Sequence, residues 1–138
     1  MNNSDDRVTL YLAVESLDLT PSIVTDRMRV RPDREWTKGD LRGKTGKYWE
    51  RHGWILETTV RSQDCDGGPA SALIPIAMAR FEKRVRSLAE MLSELRSSAE
   101  IYVVLGIVAK EAPGIECSPS FLELMVTLGG TFQIDLSI

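Results

Sequence analysis

Histidine, cysteine and long apolar runs are scarce in this chain, and each scarcity removes a class of chemistry. The single histidine, His52, lies between Arg51 and Gly53. Any imidazole-centred acid–base site must use it. The two cysteines, Cys65 and Cys117, stand far apart, without the paired spacing of a zinc site or a disulfide framework. They read as reduced thiols of a cytoplasmic protein. No serine occupies a G-x-S-x-G elbow, and neither cysteine carries a nucleophile signature. "DCDGG" places Asp64 and Asp66 as in the start of a calcium loop, but the position that needs a bidentate Glu is Pro75. The polar opening "MNNSDDR" is unlike a signal peptide, and the longest uncharged apolar stretch, Ala70–Ala79, is too short for a bilayer. No cofactor, metal or membrane partner is expected.

What remains is an ordinary globular composition in 138 residues, 43% hydrophobic and 27% charged, enough for one domain with its own core. Residues 1–6 are expected to be a disordered terminus. The net charge of −3 is unevenly spread: residues 27–51 hold nine Lys/Arg against four acids, so that window carries +5 and the rest −8. Such asymmetry suits either an anionic partner or a solvated loop.

Periodicity locates the elements. "RVTLYLAVES" alternates, with Val8, Leu10, Leu12 and Val14 on one face and Arg7, Thr9, Tyr11, Ala13 and Glu15 on the other, so it reads as a half-buried strand. Thr20-Pro21 is a helix start, with Ile23, Val24 and Met28 as the apolar side. Residues 29–53 lack periodicity and read as a polar arm containing a short strand. "WILETTVRS" is a second strand. Ile74, Met78, Phe81, Val85, Leu88, Leu92 and Leu95 form one stripe along a long helix, with Pro75 placed in its first turn. "EIYVVLGIVAKE", apolar on both faces, suggests a central strand, and "IECS" a brief returning one. Ser118-Pro119 repeats the Thr20-Pro21 start, which raises the option of an internal duplication; Gly129 stops that helix, and "TFQIDLSI" closes the chain as an alternating strand. The expected fold is α+β: a single mixed or antiparallel sheet of about four to six strands with helices packed on one face. A ferredoxin-like arrangement is an option for its first part.

The arm carries the candidate site. Gly43-Lys44-Thr45 is not a phosphate loop, because three residues rather than four separate it from Gly39, no buried strand precedes it, and Gly46 and Gly53 break any following helix. Trp36, Tyr48 and Trp49 lie among Arg31, Arg34 and Arg42, and His52 follows them. Aromatics and arginines are the usual anchors of protein interfaces, so these seven residues are the candidate partner-binding set. The leading expectation is a non-enzymatic protein-binding domain. A small-ligand or enzyme pocket lined by Trp49, His52 and Trp54 is the alternative. Single-stranded nucleic acid comes third, as no recognition motif accompanies the basic aromatic cluster and the chain is acidic overall.

The motifs Pro21 to Thr25 ("P-x-x-V-T"), Pro32-Asp33, Lys38-Gly39-Asp40 and a tryptophan leading a strand at Trp54 resemble those of the bacterial family of domain of unknown function 4279. The likeness spans most of the chain, departing at the Gly67–Ala72 turn and in the basic content before Trp54. It implies a bacterial, cytosolic, single-domain protein and assigns no activity and no site residues. An unidentified protein partner, a toxin in the immunity-type case, is the expectation that follows by analogy with other small α+β domains.

Overall fold

A computed structural model describes residues 5–138. Its elements are β1 (Arg7–Ser16), α1 (Pro21–Met28), β2 (Arg34–Trp36), β3 (His52–Arg61), α2 (Ala70–Val85), α3 (Ala89–Leu95), β4 (Glu100–Val108), α4 (Pro119–Leu128) and β5 (Thr131–Ser137). The five strands form one mixed sheet in the order β2-β3-β1-β4-β5. The first four pair antiparallel, and β5 joins β4 in parallel through the α4 crossover. The chain is therefore α+β, and its first four strands have the order of a ferredoxin-like β-α-β-β-α-β unit. Among the described residues no helix is long and apolar enough to cross a membrane.

Alternation decides which face is buried. Val8, Leu10, Leu12 and Val14 of β1, Trp54, Leu56 and Val60 of β3, and Ile101, Val103, Leu105 and Ile107 of β4 all turn toward the helices and are buried. The expected helical stripe meets them, and every member from Ile74 to Leu95 is buried. It is not one continuous α-helix, however. A 3₁₀ turn at Arg86–Leu88 separates α2 from α3. A stripe spaced 4, 3, 4, 3 drifts about 20° per heptad from an α-helix. A short tighter turn recovers that angle and keeps Leu92 and Leu95 on the sheet.

Several local expectations are corrected. The middle of the sheet is β1; β4 lies one place toward the edge. Pro75 lies inside α2, not in its first turn, since the helix already begins at Ala70. Pro75 and Ser71 are both exposed, so water can reach the Ser71 carbonyl that the proline leaves without an amide donor. "IECS" forms no strand. The likeness between the two Pro-initiated helices therefore stops at their caps: Thr20 Oγ1 accepts from the Ile23 amide and Ser118 Oγ from the Phe121 amide. Each helix ends on a left-handed residue, Arg29 or Gly129.

The expectation of a disordered 1–6 falls partly outside the described residues, and at Asp6 it fails. Asp6 is 4% exposed. Its carboxylate accepts from the amides of Ala70 (3.1 Å) and Lys110 (3.2 Å), and its carbonyl accepts from the Ser62 amide (2.9 Å). Helix α2 has no side-chain cap of its own at Pro69, so a residue 64 positions away satisfies its first amide. Asp6→Ala removes the side-chain acceptor of the buried Ala70 amide and one acceptor of the Lys110 amide. It should lower unfolding stability by about 2–3 kcal/mol in a urea titration, whereas replacing the exposed Lys83 should change it by less than about 0.5 kcal/mol.

Candidate partner-binding face

The helices cover only one side of the sheet. On the other side, strand register lays out the surface row by row. Arg34, Ile55, Ala13 and Tyr102 form one row across β2, β3, β1 and β4; Glu57, Tyr11, Val104 and Gln133 form the next, ending on β5. Glu15 faces Gly53 on one side and Glu100 on the other. The small Ala13 lowers the floor. The result is an open cleft of about 470 Å³ bounded by Tyr11, Glu15, Arg34, Arg42, Trp49 and Tyr102.

The arm forms one wall. Residues 37–51 fold as an irregular hairpin, held by Gly39 N–H to the Trp49 carbonyl (2.8 Å), Trp49 N–H to the Asp40 carbonyl (2.9 Å) and Arg42 N–H to the Lys47 carbonyl (2.8 Å). Gly43, Lys44 and Thr45 make its tip, where Gly43 and Gly46 take positive φ and Thr45 Oγ1 donates to the Arg42 carbonyl. His52 fixes the base of the arm, its Nδ1 accepting from the Lys38 amide at 3.0 Å.

Trp36 attaches this hairpin to the sheet. It pairs with Gly53 across β2 and β3, and its indole lies where a Gly53 side chain would be: a Cβ there would sit 2.0 Å from the ring. The indole N–H donates to the Arg51 carbonyl (3.0 Å). Trp49 stacks on the outer face of Trp36, with centroids 4.0 Å apart and planes 16° apart, and the Arg42 guanidinium lies 4.5 Å from the Trp49 centroid. Gly53, Trp36, Trp49 and Arg42 thus form one column rising from the sheet. Each contact in such a column is worth on the order of 1 kcal/mol.

Two ion pairs cross this face. Arg34 bridges Glu57 (2.5 Å) and Arg51 bridges Glu100 (2.9 Å). The Tyr102 hydroxyl also donates to Glu100, and these two donors hold the Glu100 carboxyl below its ordinary range. Glu15 behaves oppositely. Burial raises its pKa, against the pull of Arg51 and Arg42 and with the push of Glu100. Burial likewise raises the Tyr11 hydroxyl. Among the described residues no His/Cys/Asp/Glu group is placed to hold a metal ion.

The seven candidate residues do not form one site. Arg34, Trp36, Arg42 and Trp49 line the cleft together. Tyr48, 62% exposed, lines an adjoining hollow with Trp36, Arg42 and Trp49, and its backbone bridges to Leu41, which is 61% exposed. Arg31 does not line the cleft; it lines a neighbouring hollow with Ser22, Asp26 and Glu35 that shares Arg34 with it. His52 is a strut beneath the arm and does not line the cleft. The suggested Trp49–His52–Trp54 pocket does not form. Trp54 is 1% exposed on the helix side of the sheet, its indole N–H donating to Thr25 Oγ1 at 3.0 Å. The strand period explains this, because Gly53 and Trp54 are neighbours and must face opposite ways. Leu41, Tyr11, Glu15 and Tyr102 were missed as site residues. For Tyr11 and Glu15 the signal was present in the outward set of β1; for Leu41 nothing in an aperiodic arm marks its pairing.

Gly53→Ala should dislodge Trp36, lower stability by about 1–3 kcal/mol and weaken the near-ultraviolet circular dichroism of the stacked indoles; an unchanged spectrum would contradict the column. Glu15 gives a pH test. Its folded pKa lies above the ordinary 4.5, so the folded protein holds this proton more tightly than the unfolded chain. Its contribution to stability therefore falls as pH rises through that range. Glu15→Gln should raise the urea midpoint at pH 7, and the gain should vanish as pH falls below the ordinary glutamate range.

Comparison with known proteins gives one result. Neither curated proteins nor solved structures yield a match. A family model described as a domain of unknown function (DUF4279) matches residues 6–138, essentially the whole of the chain that carries the sheet, the arm and the column. The chain belongs to the DUF4279 family.

Proposed function

We propose that this protein is a binding domain that engages a protein partner through the arm and the adjoining open face of the sheet. The observation that carries this reading is the display of Leu41 and Tyr48. Two residues with large side chains, 61% and 62% exposed, stand opposite each other across the hairpin. The Trp36–Trp49–Arg42 column beneath holds that hairpin in place. A pre-organised aromatic and aliphatic pair beside an arginine is the composition of an interface hot spot, and ordering it in advance lowers the entropic cost of association. Arg51, Glu100 and Arg34 supply a charged rim.

The mutual stacking of Trp36 and Trp49 and the Arg42 contact already engage ring surface that base stacking would need. In its most concrete form the partner is a toxin masked by this face in a bacterial cytoplasm. That version rests on analogy with other small solitary α+β domains.

Tagged wild-type protein and the double variant Leu41→Ala/Tyr48→Ala test the reading when purified from the native host. The wild type should recover one specific protein and the variant should lose it, with both baits showing the same thermal unfolding. Recovery of nothing by the wild type, or equal recovery by the variant, contradicts the proposal.

A further inference from the structure

The two edges of the sheet are unlike. At one edge β2 is three residues long, follows Pro32 and carries Arg34 and Glu35, the features by which natural edges avoid pairing. At the other edge β5 is seven residues long, with no proline, lysine or arginine and a single charge, Asp135.

The bare side of β5 can be read residue by residue. The Ser137 carbonyl accepts from the Ala109 amide on the β4 side. Amide and carbonyl of one strand residue point the same way, and the next residue points oppositely. Ser137, Asp135 and Gln133 therefore face β4, while Phe132, Ile134 and Leu136 turn their backbone groups outward. Register with Val103, Leu105 and Ile107 puts the side chains of the outward residues on the helix side of the sheet. There Phe132 meets Phe121 of α4, with ring centroids 5.7 Å apart, but Ile134 and Leu136 stay 47% and 44% exposed.

Helix α4 continues this apolar border. Its Ser120 hydroxyl donates to Glu82, so that flank faces α2. Leu122 and Val126, one turn apart, lie on the opposite flank, 49% and 80% exposed.

We infer that β5 is the dimer edge of this protein, pairing antiparallel with β5 of a second copy across a two-fold axis at Ile134. That register sets Ile134 against itself and Phe132 against Leu136, so every outward backbone group at these positions gains a partner. It sets Gln133 opposite Asp135, so the only charged side chain of the strand meets an amide and not its own copy. Both helix layers fall on one side of the joined sheet. Phe121 of α4 packs on Phe132 of β5, so each α4 stands beside the joined edge on that same side, with the exposed Leu122 and Val126 along the border. A closed two-fold pairing removes an edge that would otherwise recruit further strands. The inference is independent of the partner reading, whose surface lies at the other end of the sheet.

Light scattering on the eluting protein gives the mass, and two sets of variants give the register. The wild type should run as a dimer. Ile134→Pro removes only an outward amide, so it should give a monomer with unchanged far-ultraviolet circular dichroism. In a Cys65→Ala/Cys117→Ala background, Ile134→Cys should form an intermolecular disulfide on oxidation, and Gln133→Cys, which faces Asp135, should not. The cysteine pair decides the question even if the proline variant fails to fold. A monomeric wild type, a dimer that survives a folded Ile134→Pro, or cross-linking equal at both positions overturns the inference, as does a monomer whose edge instead takes a strand from a different protein.

Discussion

The architecture depends on one-sided coverage of the sheet. β1 supplies its middle, and its alternating pattern commits one face to the helices with no residue to spare: Val8, Leu10, Leu12 and Val14 are buried there to 2% exposure or less. The opposite face, which receives no helix, must be made compatible with water or with something else. The chain meets that demand with two tyrosines, a small floor residue and ion pairs near the edges, and by folding the 37–51 arm over one end.

The arm transmits this constraint to the candidate site. A charged, glycine-containing hairpin has little apolar surface with which to dock. Trp36 compensates because Gly53 leaves room for its indole against the strand, and Trp49 and Arg42 build on it. The same construction leaves Glu15 half-buried and raised in pKa beneath the arm. A carboxylate held where folding disfavours its charge is a local cost of the kind that accumulates at binding surfaces.

Legibility in the sequence followed periodicity. The strands β1 and β3, the buried stripe of α2 and α3, and the two Ser/Thr-Pro helix starts were readable because their burial repeats at 2.0 or 3.6 residues and their caps are local. Asp6 was not readable. Its partners, Ala70 and Lys110, are 64 and 104 residues away, and an acidic residue in a polar terminus has no local mark of burial. Composition drew attention to the arm but could not sort its members. Trp36, Trp49 and Trp54 look alike in sequence, yet one lies on a glycine, one stacks above it and one is in the core across the sheet. Only the pairing of Trp36 with Gly53 separates these roles, and such a close approach has no signature beyond the glycine itself.

The central claim is that the arm is a pre-ordered wall of the open face and not a solvated loop. Hydrogen exchange at the amides of Gly39, Arg42 and Trp49, the donors that close the hairpin, tests it most directly. The account predicts that all three exchange much more slowly than the same amides in an unstructured peptide, and that Gly53→Ala, by displacing Trp36, releases them while leaving β1 protected. Exchange at the peptide rate in the wild-type protein would contradict it.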